Sequence, residues 1–106
     1  MNILTKNSTT VISRKEIPNV ITVILNSEHI IEVKWSEALT EIEKEHLINL
    51  TTIIKELGHG KKMLVYIDTY NFMANTSEAR EYAATKEASQ YTLANAVLVE
   101  KKKKKI

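Results

Sequence analysis

The sequence predicts an α/β domain on a mixed sheet in the order β-β-α-β-α-β, an antiparallel hairpin followed by parallel strands, with the helices packed on one face. Three observations lead there. Two β-branched runs, at 19–25 and 30–35, flank a four-residue polar connection. From Ser36 the apolar period lengthens from two to about 3.6. Two further short apolar runs, at 63–67 and 96–99, each follow a helical segment. The 106 residues, 43% hydrophobic and 26% charged with two glycines and one proline, have the size and composition of one globular domain.

The elements follow in chain order. Residues 1–18 read as a lead-in, with turn material at Asn7, Ser8, Thr9 and Thr10 and with Pro18 ending any regular element that starts near Val11. The run 19–25 and the alternating segment 30–35 form a hairpin across Asn26, Ser27, Glu28 and His29, and the alternation in the second strand implies one wet face. Leu39, Ile42, His46, Leu50, Ile53 and Leu57 then mark one stripe of an amphipathic helix. Ser36 or Thr40 is placed to cap its start, and Gly58 stands where a left-handed residue ends a helix. The unbroken run 63–67 has the pattern of a strand buried on both faces. A second helix is expected from about Ser77 to Ser89, built on Ala79, Tyr82, Ala83, Ala84 and Ala88, before a last strand near 95–99. The sheet is expected to have four strands, within a domain spanning 19–100 that precedes a lysine-rich tail at 101–106.

Composition excludes several functions. Without cysteine there is no disulfide scaffold, thiol nucleophile or Cys-ligated metal. The net charge of +2 arises from five consecutive lysines at 101–105; the rest of the chain has ten basic against thirteen acidic residues, a net charge of −3, and only two arginines. Nucleic acid is therefore not an expected partner. No apolar stretch reaches the ~18–20 residues of a membrane span, and the polar start lacks the apolar core of an export signal, so a cytoplasmic location is expected.

His29, His46 and His59 share no metal-ligand spacing, so neither a metal nor a cofactor is expected, and His46 reads as a partly buried side chain with one hydrogen bond. The Gly58-His59-Gly60-Lys61-Lys62 segment lacks the Ser/Thr of a phosphate loop and joins helix to strand rather than strand to helix. Candidate regulatory or partner-binding residues gather after the central strand. Asp68, the only aspartate, closes that strand where open α/β sheets place ligands, and its plainer role is to accept hydrogen bonds from turn amides. Asn75, Thr76, Ser77 and Arg80 surround the start of the second helix, where Asn75 and Glu78 have the spacing of a capping box. No catalytic residue is assigned.

Tyr66-Ile67-Asp68 closing a strand, Glu78-Ala79-Arg80-Glu81-Tyr82 opening a helix, and Ala94-Asn95-Ala96-Val97-Leu98-Val99 after it resemble the SpoIIAA-like, STAS and CRAL-TRIO-related family of small bacterial domains over residues 19–100. The resemblance implies a non-enzymatic domain that regulates or binds a partner protein. It implies a phosphorylatable hydroxyl near Thr76 or Ser77, although the family's Asp-Ser-Ser/Thr-Gly cluster is absent. Its lipid-binding branch supplies the alternative, a carrier with a pocket for a lipid or other small apolar ligand. Relatives continue past the strand ending at Val99 with more helix and strand, so a truncated or frame-shifted end is expected at the lysine run, against a genuine short variant with a solvated tail. Apolar surface and a sheet edge left uncovered in this way predict a homo-oligomer.

Overall fold

The computed structural model describes residues 10–70 and 74–100. It is an α/β fold with a five-stranded mixed sheet whose helices, among the described residues, cover one face. The strands are β1 (Val11–Ile17), β2 (Ile21–Asn26), β3 (Ile30–Trp35), β5 (Met63–Tyr70) and β7 (Thr92–Glu100), in that spatial order. Two short strands, β4 (Glu41–Ile42) and β6 (Ala74–Asn75), pair in parallel apart from the main sheet. The helices are α1 (Lys44–Leu57), α2 (Ser77–Ala83) and α3 (Lys86–Ser89).

Pro18 ends the element that starts at Val11, and that element is a strand. It adds a fifth strand to the expected four, so residues 11–17 belong to the sheet rather than to a lead-in. The turn follows from its residues. Pro18 supplies a fixed φ, Asn19 takes a left-handed φ of 65°, and the Val20 amide donates to the Ile17 carbonyl at 3.0 Å. β1 evades recognition by sequence because it is an edge strand: Arg14, Lys15 and Glu16 break any apolar alternation.

The β2–β3 hairpin turns where expected, and Asn26 shapes it. Its buried side-chain oxygen accepts from the amides of Glu28 (2.8 Å) and Ile30 (3.1 Å), while its Nδ2 donates to Glu32 Oε2 at 2.7 Å. These bonds hold His29 at a φ of 65° in the turn. The chain then runs β3–α1–β5 and β5–α2–α3–β7, each crossover joining parallel neighbours. Since both advance across the sheet in the same direction, right-handed crossovers put their helices on the same face. Leu50, Ile53, Ile54 and Leu57 of α1 pack there on Ile21, Val23, Ile31, Val33, Trp35 and Val65.

Three local expectations need correction. The helix α1 starts at Lys44, not near Ser36 or Thr40. The Ser36 hydroxyl accepts the Ala38 amide (3.0 Å) and stabilises a turn, Leu39 and Ile42 reach the core from non-helical backbone, and Glu43 is the N-cap. The Glu43 amide donates to His46 Nδ1 at 2.9 Å, which gives His46 its bond, and the His46 ring meets Trp35 edge-on at 6.4 Å. Gly58 is not left-handed: its φ is −90°, and the positive φ values fall on His59 (55°) and Gly60 (80°). The expected second helix is two, because Thr85 donates to the Tyr82 carbonyl (2.7 Å) and accepts from the Ala88 amide (3.2 Å), capping α3 and interrupting the helix. Of its alanines only Ala79 is buried, beside Tyr82, whose hydroxyl donates to Thr51 Oγ1 on α1 at 3.3 Å.

Candidate functional site

Residues that the sequence singles out fall into two separate places. At the start of α2, the Thr76 amide donates to the Ile42 carbonyl (3.0 Å), tying the helix to the β4–β6 pair, and Thr76 Oγ1 accepts from the Ala79 amide (3.0 Å). The N-cap is therefore Thr76, one residue beyond the capping-box position assigned to Asn75. Asn75 contributes its carbonyl, which accepts from Arg80 Nη1. Asn75, Ser77 and Arg80 are all exposed, so the structure gathers these four into a solvent-facing helix cap. Phe72 and Met73, which belong to the resemblance at this point, lie outside the described residues.

Asp68 stands elsewhere. β5 lies fourth of five rather than at the centre of the sheet, and it continues to Tyr70, so Asp68 is within the strand and not at its end. It lies in register between Lys34 of β3 and Leu98 of β7. Its Oδ1 is shielded from solvent and finds no hydrogen-bond partner among the described residues. The chain that would supply the expected turn amides passes through 71–73, outside those residues.

The larger feature is the sheet face turned away from the helices. Alternate residues of a strand point to opposite faces, and Val23, Ile31, Val33 and Val65 take the covered one. Their neighbours form cross-strand rows on the other: Ile24, Glu32, Tyr66 and Ala96 in one, Ile30, Leu64 and Ala94 beside it, and Thr22, Lys34 and Asp68 beyond. Leu64 is 44% exposed and Tyr66 38%, while Ile24 and Ile30 are half-buried. This corrects the expectation that residues 63–67 are buried on both faces: among the described residues the helices cover one side only. The wet face implied by the alternation at 30–35 was the signal for this surface, but it does not say that Leu64 and Tyr66 join it.

A shallow depression of about 370 Å³ opens where β1, β2 and β3 meet, lined by Glu16, Asn19, Lys34, Trp35 and Glu37 among others. Its rim is charged. Among the described residues no group of three or more His, Asp or Glu side chains could hold a metal ion, and no helix is long and apolar enough to cross a membrane. Residues 101–105, the lysine run, lie outside the described residues.

The chain belongs to the DUF7793 family, described as a domain of unknown function, whose model matches residues 24–106. No curated protein and no solved structure matches the chain.

Proposed function

We propose that this is a non-enzymatic protein-interaction domain, regulatory in the manner the STAS resemblance implies, and that its partner binds the uncovered sheet face. The observation that carries the reading is the apolar group of Ile30, Leu64 and Tyr66 on the sheet face away from the helices, with Glu32 separating Tyr66 from Ile24 and with Lys34 and Asp68 in the row beside it. An aromatic and aliphatic centre with a charged margin is the composition of a protein-binding surface. The partner's matching surface is apolar at its middle, because an unpaired charge set against Leu64 and Tyr66 would lose its hydration without compensation. The depression where β1, β2 and β3 meet gives the carrier alternative less support, since it is open and mixes Glu16, Lys34 and Glu37 with Ile17, Val20 and Trp35 in place of an enclosed apolar lining.

A photo-crosslinking side chain placed at position 66, with a control at exposed Lys86, tests the reading in cells that make the protein. The expected result is a discrete protein adduct from position 66 that is absent from position 86 and lost with Leu64→Asp. Adducts at both positions, at neither, or with extractable lipid alone would refute it.

A further inference from the structure

The five-stranded sheet ends in two unlike edges. On β1 three consecutive charged residues, Arg14, Lys15 and Glu16, interrupt the strand, and a register shift between Val11 and Ser13 bends it at its start. Both are devices that discourage a further strand from adding. β7 shares an irregularity near its start but lacks the run of charges. Its first eight residues, 92–99, carry no charge and no proline. Past an irregularity near Leu93, its pairing with β5 runs unbroken from Ala94 to Glu100. Leu93 is 65% exposed, and Ala94, Asn95 and Ala96 are exposed too. Among the described residues no strand pairs with its outer side, so alternate peptide groups along it present unpaired donors and acceptors.

We infer that β7 is a homodimerisation edge, on which β7 of a second copy pairs antiparallel across a two-fold axis to make one ten-stranded sheet. Three features favour a copy of this chain over another occupant. A strand edge is self-complementary under a two-fold axis, so each N–H of one copy meets a C=O of the other without any further matching surface. The register with greatest overlap centres on Ala96, so the smallest side chain of the strand meets its own copy at the axis. In that register Glu100, the one charged residue of β7, falls at the far end of the pair from its own copy, whereas a parallel arrangement would set the two glutamates together. The pairing uses the backbone edge of β7 rather than the uncovered face, although Ala96 lies in the same row as Tyr66, so the dimer is read by sedimentation and exchange and not by partner binding.

Sedimentation of the full chain, with hydrogen exchange of the β7 amides at low and high protein concentration, tests it. The expected result is a concentration-dependent dimer in which some amides of residues 94–98 exchange more slowly as the dimer forms. Ala96→Lys and Ala96→Glu, at an exposed position, should each keep the far-ultraviolet spectrum and raise the dimer Kd by about tenfold or more, since like charges then face each other at the axis. Mixed in equal amounts, the two variants should dimerise again, because lysine meets glutamate there. A monomer at all concentrations would overturn the inference. So would charged variants that dimerise as the parent does, a mixture that stays monomeric, or exchange that does not depend on concentration.

Discussion

Replacing Gly58 by alanine separates two reasons for a glycine at the end of α1. Were Gly58 left-handed, a Cβ would be strained by its backbone alone, whatever surrounds it. In the structure its φ is −90° and ψ 3°, which alanine adopts freely, but the added Cβ would stand 2.6 Å from Met63 Cγ, 3.1 Å from Met63 Sδ and 3.2 Å from the Ile54 carbonyl oxygen. Loss of unfolded-chain freedom should stabilise the alanine variant by about 0.4–1 kcal/mol, and overpacking against a half-buried methionine should cost about 1–3 kcal/mol. The expected net is a loss of up to about 2.6 kcal/mol, centred on about 1.3 kcal/mol. Met63 packs against the core just after the turn, and its Cγ can move away only by a change of rotamer that disturbs that packing. With Met63→Ala already in place the nearest obstacle is gone, and the same Gly58→Ala change should become neutral or stabilising by up to about 1 kcal/mol. Urea denaturation of the four proteins in this double-mutant cycle, followed by circular dichroism, measures both costs. An equal loss in the two methionine backgrounds would refute the close-approach argument and return the glycine to a conformational role.

Leu50→Ala should lower stability by about 2–5 kcal/mol, because Leu50 is 7% exposed within the core beneath α1; an unmoved denaturation midpoint would show that the stripe does not bear on the sheet. Thr76→Ala should cost about 0.5–2 kcal/mol through loss of the bond to the Ala79 amide, while Asn75→Ala and Ser77→Ala stay within about 0.5 kcal/mol, and calorimetry of the three ranks them. Asn26→Ala should cost about 1–3 kcal/mol, since it strands the amides of Glu28 and Ile30 in the hairpin; Asn26→Asp keeps those two acceptor bonds but sets a second carboxylate against Glu32, so it should also be less stable than the parent at neutral pH. Thermal melts at one salt concentration compare the pair.

Much of the fold is legible because local pattern and global fold agree. The β-branched runs, the stop at Pro18, the four-residue hairpin turn and the stripe from His46 to Leu57 all record burial with the period of their own element. The candidate site is less legible. Thr76, Ser77 and Arg80 are marked by ordinary capping chemistry, and capping is what Thr76 does. Leu64 and Tyr66 look like interior residues in a continuous apolar run, yet they lie on the uncovered face.

By itself the sequence determined the fold class, the order of its principal strands and helices, and the apolar face of α1, because each follows from side-chain periodicity and turn residues acting over a few positions. Only the tertiary structure decided that β1 joins the sheet, that α1 waits for Glu43, that the second helix breaks at Thr85 and that Gly58 answers to Met63. It also decided that β7 is an edge among the described residues and that Tyr66 faces away from the helices. Each depends on a partner distant in the chain or on a competing side-chain hydrogen bond. Residues in a short apolar run carry the same hydrophobic signal whether a helix covers one face of their strand or both. The direction in which successive crossovers advance decides which, and no local pattern contains it.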